Sequence, residues 1–146
     1  SITTKTSTSN QLISFQINGV EYKDHPGAVS QKEITEQGRN YLKCLYQIEL
    51  SGQKEYHCFR AEKKTYSISE NELKTFRVAR ITKGMEVSIQ FPSNVQVDFT
   101  ELGTIHPFET KRQNFRNVMC KVHNKGLILP NQGYCLNFKI KPLCAA

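Results

Sequence analysis

Apolar and polar residues alternate along most of this chain, and a period of two is the pattern of a β-strand with one buried face. In residues 85–91 every second residue is apolar: Met85, Val87, Ile89 and Phe91. The same alternation recurs in three further segments, at residues 41–50, 95–99 and 134–141. The pattern predicts a chain built mainly from antiparallel β-strands.

Turn residues between these segments predict hairpins. Asn18-Gly19 is the strongest signal, because a two-residue type I′ turn needs positive φ at both positions, and Asn and Gly tolerate it. We expect residues 12–17 and 20–23 to pair across this turn. Two further hairpins are predicted, of residues 41–50 with 55–61 and of residues 76–81 with 85–91. Residues 115–122 and 134–141 supply two more strands.

Helix signals are confined to two short segments. Residues 30–33 and 69–72 both have the Ser-x-x-Glu form of a capping box, which satisfies free backbone N–H groups at the start of a helix. Gly38 is a suitable stop for the first of them. The sequence therefore predicts one or two short helices in the connections.

These segments predict an all-β fold, an antiparallel β-sandwich of about seven to nine strands, with an elaborated OB-type barrel as the alternative. We expect one β domain over residues 11–146, after a polar, disordered lead-in over residues 1–10. The predicted core contains the following side chains: Leu42, Tyr46, Ile48, Val87, Ile89, Val97, Val118, Leu136 and Phe138.

The apolar runs and the cysteines both bear on the compartment. No run reaches the roughly 18 apolar residues that a membrane-spanning helix needs. Five cysteines, an odd number without a Cys-x-x-Cys pair, form a poor disulfide framework. We therefore expect reduced thiols in an intracellular protein, nuclear or cytoplasmic, while one or two disulfides stay open as an alternative.

Two pairs of residues resemble parts of a metal site, His57-Cys58 and the Cys120…His123 pair. A structural zinc needs four converging N or S ligands, whereas neighbouring residues of a strand point to opposite faces. The chain also lacks a Gly-x-Ser-x-Gly nucleophile motif and a glycine-rich phosphate loop. We expect no metal, no cofactor and no catalytic residues.

The positive charge is concentrated in the last quarter of the chain. The net charge is +7, and no acidic residue occurs between Thr110 and Ala146. Lysine, arginine and amide side chains neutralise phosphates or bond to bases, and an aromatic ring stacks on an exposed base. The candidate nucleic-acid-binding residues are Lys111, Arg112, Asn114, Phe115, Arg116, Lys121, Lys139 and Lys141.

The sequence thus favours a non-catalytic binding module whose basic C-terminal surface binds a polyanion, with nucleic acid, either DNA or RNA, as the first hypothesis. The alternative is a protein-interaction β-sandwich within a larger protein, with an acidic protein as partner. Were the two C-terminal strands neighbours, Lys121 and Lys139 would belong to one basic patch. Outward lysines also solvate a sheet and protect its edges, without any ligand.

Overall fold

The computed structural model describes residues 9–65, 71–111 and 116–142, with the backbone alone at residues 9, 39–42 and 71. All regular structure in these ranges is β-strand, and every pairing of named strands is antiparallel. The strands are β1 (Ser9–Ile17), β2 (Val20–Glu21), β3 (Val29–Glu36), β4 (Arg39–Tyr46), β5 (Cys58–Thr65), β6 (Asn71–Arg77), β7 (Met85–Gln90), β8 (Val95–Leu102), β9 (Glu109–Thr110), β10 (Val118–His123) and β11 (Gly133–Ile140).

The chain divides into two compact units, Ser1–Ser67 and Ile68–Ala146. The first unit contains the sheet β2-β1-β5 and the hairpin β3-β4. The second unit contains the sheets β7-β10-β9 and β6-β11-β8. The single domain over residues 11–146 stays a prediction. Residues 1–8 of the predicted lead-in lie outside the described residues, and the remaining two belong to β1.

In the first unit, both hairpins turn on two residues with positive φ. Asn18 and Gly19, with φ of 50° and 79°, join β1 to β2, so this predicted hairpin is confirmed. Gln37 and Gly38, with φ of 50° and 75°, join β3 to β4. The buried apolar side chains of this unit are few: Phe15, Ile17 and Ala28.

In the second unit, the inner faces of the two sheets contribute to the same apolar clusters. One cluster has Val78, Phe108 and Ile128 at its centre, with side chains of β6, β7, β8 and β11 packed against it. The other is centred on Val95, Val97 and Leu136, with side chains of β7 and β10 packed against it. Phe99 and Tyr134 pack against both clusters. The core of this unit is therefore continuous between its sheets.

The strands of the second unit define two ends. At the turn end, residues 91–94, 116–117 and 141 meet, because Phe91 N donates to Asn117 O (3.0 Å) and Lys141 N donates to Asn94 O (2.8 Å). At the loop end, residues 78–84, 103–108 and 124–132 meet. The register of β10 with β7 and of β11 with β8 sets these groups at opposite ends of the strands.

The predicted short helices are wrong where the structure describes them. Residues 30–33 lie within β3, and Gly38 forms a hairpin turn instead of ending a helix. The Ser-x-x-Glu pattern has low specificity, because alternating polar residues also suit an exposed strand. Of the second predicted helix, residues 69–70 lie outside the described residues, and residues 71–72 belong to β6.

Two predicted hairpins are also wrong. The strand β5 pairs with β1 instead of β4, and β4 pairs with β3. Likewise β7 pairs with β10, while β6 pairs with β11. Residues 85–91 correspond closely to β7, whereas the predicted strand 76–81 shares only residues 76–77 with β6. The partners of both strands are distant in sequence. The OB-type alternative is wrong as well, because none of the four described sheets closes into a barrel.

The predicted core is confirmed in part. Val97 and Leu136 are buried, and Val87, Ile89 and Phe138 pack against the clusters of the second unit. Tyr46 and Ile48 are half-buried residues of the first unit, and Val118 is half-buried in the second. The side chain of Leu42 lies outside the described residues.

Candidate polyanion-binding site

The two C-terminal strands belong to different sheets, which separates the predicted basic residues into groups. Lys121 lies on β10, in the sheet β7-β10-β9, and Lys139 lies on β11, in the sheet β6-β11-β8. The condition for a single patch built on neighbouring strands is therefore not met. The surroundings of each basic residue determine whether its charge is available to a ligand.

Lys121 points into the second unit. It lies opposite Val87, a residue of the inner face, and its Nζ is 5.5 Å from the centre of the Phe99 ring. Its ammonium donates a hydrogen bond to Thr110 Oγ1 at 2.7 Å. The aliphatic stem of a lysine packs well on apolar neighbours while its charge reaches the edge of the core. Lys121 therefore has a packing role in the unit.

Lys111 lies on the outer side of the same sheet. Its Nζ is 3.7 Å from Glu86 Oε1, and both side chains are more than half exposed. Its backbone N–H donates to Cys120 O at 3.0 Å, which extends the pairing of β9 with β10. The neighbouring carboxylate reduces the positive potential that Lys111 presents to a polyanion.

Arg116 and Lys141 both lie at the turn end, in segments bonded to the turn at residues 91–94. Both side chains are exposed, and neither forms an ion pair with a described residue. The backbone bonds of Phe91 with Asn117 and of Lys141 with Asn94 hold their segments against one turn. The turn end thus presents two uncompensated cations.

Lys139 lies beside this end but is compensated. Its Nζ is 3.4 Å from Asp98 Oδ2, and Gln96 Nε2 donates to Asp98 Oδ1 at 3.0 Å. The hydrogen bond from Gln96, together with the hydrogen bond and charge of Lys139, lowers the pKa of Asp98. The carboxylate stays ionised at neutral pH, so the pair contributes little net charge.

Three of the predicted site residues lie outside the described residues: Arg112, Asn114 and Phe115. They precede Arg116 in the chain. The described part of the predicted site therefore comprises Lys111, Arg116, Lys121, Lys139 and Lys141, and of these Arg116 and Lys141 lie at the turn end.

The residues that resemble metal ligands do not converge. Cys120 lies on the outer face of its sheet, with Sγ 3.6 Å from Glu86 Oε1, whereas His123 lies on the inner face, 5.1 Å from Phe108 between ring centres. His57 and Cys58 are exposed residues of the first unit. Among the described residues no three His, Cys, Asp or Glu side chains group as a metal site. The four described cysteines are free thiols.

A group of polar side chains joined by hydrogen bonds and ion pairs lies in the first unit, and the sequence did not predict it. Glu62 accepts hydrogen bonds from Tyr46 and from Lys64 Nζ (2.7 Å), and its Oε1 is 3.0 Å from Arg60 Nε. Asn10 Nδ2 in turn donates to Tyr46 Oη at 3.2 Å. The group links the hairpin β3-β4 to the sheet β2-β1-β5.

The electrostatics of this group favour a fixed, fully bonded state. Burial raises the pKa of Glu62, but the hydrogen bonds from Lys64 and Tyr46 and the charges of Lys64 and Arg60 outweigh it and lower the pKa overall. Burial and the bond to Glu62 raise the pKa of the Tyr46 hydroxyl. Tyr46 therefore stays a donor and Glu62 an acceptor. The sequence signal was the alternation of charges at Arg60, Glu62 and Lys64, which share one face of β5.

Two cavities lie on the surface of the described residues. One, of about 430 Å³, lies in the first unit beside Tyr22, His25 and Glu49. The other, of about 260 Å³, lies on the outer face of the sheet β7-β10-β9 beside Glu86, Glu109 and Lys111. Neither set of lining residues pairs a nucleophile with a base.

Comparison with protein-family models, with curated proteins and with solved structures gives no match. The structure contributes one finding on membranes: across the described ranges, no helix has the length and apolar character to cross a bilayer.

Proposed function

We propose that the chain is a non-catalytic binding module and that the turn end of its second unit binds nucleic acid. The observation that supports this is that Arg116 and Lys141 belong to two segments bonded to one turn, residues 91–94, and that neither has a carboxylate partner among the described residues. Cations that no described carboxylate neutralises attract phosphate oxygens and release counterions from the nucleic acid when they bind.

The second unit is, in this proposal, a small two-sheet β-sandwich. Its sheets share the clusters around Val78 and Val95, and its connections gather at two ends. Sandwich domains bind their ligands through such end loops, because the sheets hold the loops in place without constraining their sequence. The turn end then acts as a rigid base for the basic residues.

Charge and polar groups at this end suit a phosphate backbone. The second unit has eleven Lys and Arg residues against six Asp and Glu residues, a net charge of +5, whereas the first unit has +2. Asn94 and Asn117 lie beside the two cations. Their amide groups donate to phosphate oxygens in a geometry that a backbone-bound nucleic acid accepts. The proposal also includes Arg112 as a further cation and Phe115 as an aromatic ring that stacks on an exposed base.

A matched pair of double variants tests the proposal. Arg116→Ala with Lys141→Ala removes the cations of the turn end, and Arg80→Ala with Lys83→Ala removes one Arg and one Lys from the loop end of the same unit. Affinity is measured for single-stranded DNA, duplex DNA and RNA at about 50 and 200 mM salt. The turn-end variant is expected to lower the slope of log affinity against log salt by about 1.4 to 1.8, since each lost phosphate contact removes about 0.7 to 0.9.

The control variant should keep most of the wild-type salt slope. Equal losses in both variants would point to unspecific attraction by net charge and would contradict a site at the turn end. An affinity that neither variant changes would favour the protein-interaction alternative. Preference among the three oligonucleotides decides between DNA and RNA.

A further inference from the structure

The loop end of the second unit carries four exposed aliphatic side chains: Ile81, Ile105, Leu127 and Leu129. Ile81 and Ile105 are 66% and 75% exposed, which is high for isoleucine. Single exposed apolar residues are ordinary, but a group on neighbouring loops marks a contact surface. The backbone explains why these residues form a group.

Thr82 and Ile128 form an isolated antiparallel bridge, with N–H to O distances of 2.9 Å in both directions. Side chains alternate across such a bridge, so the residues on either side of Ile128 point away from it. Ile128 itself is fully buried in the core. Ile81, Leu127 and Leu129 therefore project from the unit on the same side.

The third loop of this end is held against the other two. Gln132 Nε2 donates to Gly103 O at 2.8 Å, and Phe108 packs with Ile128 in the core. The ring of His106 lies directly against Gly126, where a Cβ would be within 2.5 Å of it. The loop that carries Ile105 is thereby held against the segment that carries Leu127 and Leu129.

Basic residues lie on the same loops as this aliphatic group or at their edges: Arg77, Arg80, Lys83 and Lys125. Lys125 pairs with Glu109 at 3.4 Å, so this pair adds little net charge, and Arg77 Nη1 donates to Asn131 O at 2.7 Å. The carboxylate of Glu101 accepts a bond from Phe108 N at 2.6 Å. Arg80 and Lys83 have no ion-pair partner among the described residues.

We infer that the loop end binds the surface of an anionic lipid bilayer, with the four aliphatic side chains in the acyl boundary and the cations at the headgroups. Apolar side chains with Lys and Arg on the same loops are complementary to this interface, which is apolar inside and negative at its surface. A nucleic-acid backbone offers no apolar surface to the aliphatic side chains. An acidic protein is the alternative partner, and vesicle-binding measurements distinguish it from a lipid surface.

The binding of the protein to lipid vesicles tests this inference. The wild-type protein is expected to bind phosphatidylcholine vesicles with about 30 mol% phosphatidylserine and to bind pure phosphatidylcholine vesicles much more weakly. Ile81→Ser with Ile105→Ser should weaken binding to the anionic vesicles by about tenfold for each residue. Arg80→Ala with Lys83→Ala should weaken it by about fivefold for each residue.

Because the chain contains no Trp, one introduced Trp reports the depth of a chosen site. The fluorescence of an Ile105→Trp variant is expected to shift to shorter wavelength when anionic vesicles are added, since the indole ring leaves water. A Ser93→Trp variant places the reporter at the turn end, and its spectrum should stay unchanged.

The experiments can contradict the membrane inference without contradicting the nucleic-acid proposal, and the reverse. Loss of vesicle binding in the Arg116→Ala, Lys141→Ala variant equal to that in the loop-end variants would show adsorption by net charge and overturn the membrane inference. Absent vesicle binding by the wild type, or binding that the isoleucine pair does not affect, would also overturn it and favour a protein partner. Oligonucleotide affinity of the Ile81→Ser, Ile105→Ser variant should equal that of the wild type in every case.

Discussion

The hydroxyl of Tyr46 on β4 donates a hydrogen bond to the carboxylate of Glu62 on β5, and this bond connects the hairpin β3-β4 to the sheet β2-β1-β5. The rings of Tyr46 and Phe15, 5.6 Å apart between centres, extend the same connection with an apolar contact. Among the described residues of the first unit, the buried apolar side chains are Phe15, Ile17 and Ala28, so the polar contacts of Tyr46 and Glu62 add to a small apolar core.

We predict that the Tyr46–Glu62 bond is a main source of stability in the first unit. Tyr46→Phe and Glu62→Gln should be coupled by about 1–2 kcal/mol in a double-mutant cycle measured by urea unfolding, because the bond involves a charged acceptor that is largely shielded from water. An exposed control, Glu55→Gln, should have little effect. Additive effects of the first two substitutions would contradict the prediction.

The same pair predicts the acid limb of the stability profile. The pKa of Glu62 is lower in the folded state than its usual value of 4.5, so its carboxylate stabilises the fold above that pH and the contribution is lost as pH falls through the folded-state pKa. Glu62→Gln should therefore unfold with a shallower dependence on pH below about 4.5 than the wild type. If the stability of Glu62→Gln depends on acidic pH as steeply as that of the wild type, other carboxylates cause the loss of stability in acid.

The fold was predictable from the sequence where local pattern decides it. The alternation over residues 85–91 corresponds to β7, and Asn18-Gly19 forms the predicted turn. Partners were not predictable, because the choice of β1 over β4 by β5 depends on which faces bury each other across a long separation. Sequence neighbours pair most often, and here that rule failed twice.

The candidate site was predictable to the same limited extent. Alternation places Lys121 on one face with Met119, but only the partner sheet determines that this face is the inner one. The placement of Arg116 and Lys141 at one end of the unit depends on backbone bonds to the turn at residues 91–94, which no local sequence pattern predicts.

The hairpin turn of β3 and β4 gives a third prediction. Gln37 has a φ of 50°, in the left-handed region that Asn tolerates better than Gln. Gln37→Asn should raise the free energy of unfolding by about 0.5 kcal/mol, and Gln37→Val should lower it because a β-branched residue is strained there. Urea unfolding of both variants checks the opposite signs, and a shift in the same direction for both would refute the explanation.

His123 gives a fourth prediction, because it is fully buried and neither ring nitrogen has a hydrogen-bond partner among the described residues. Its ring lies against Phe108, in apolar surroundings. His123→Phe should therefore keep the packing and raise the stability by about 1–3 kcal/mol, the usual cost of an unsatisfied buried polar group. His123→Gln, which stays polar, should bring no gain. A loss of stability in the phenylalanine variant would reveal a partner for the imidazole.

The last prediction concerns the second unit as a folding unit. Its two sheets and both apolar clusters are formed by residues of the range 68–146 alone, from Phe76 to Phe138. A fragment of these residues should therefore unfold cooperatively in urea and retain the dispersed amide spectrum of a folded β protein. The fragment 1–67, in which three of the described apolar side chains are buried, should be much less stable. If both fragments are unfolded while the whole chain unfolds in one transition, residues 11–146 form one cooperative domain, as the sequence predicts, and the core of the second unit depends on the first.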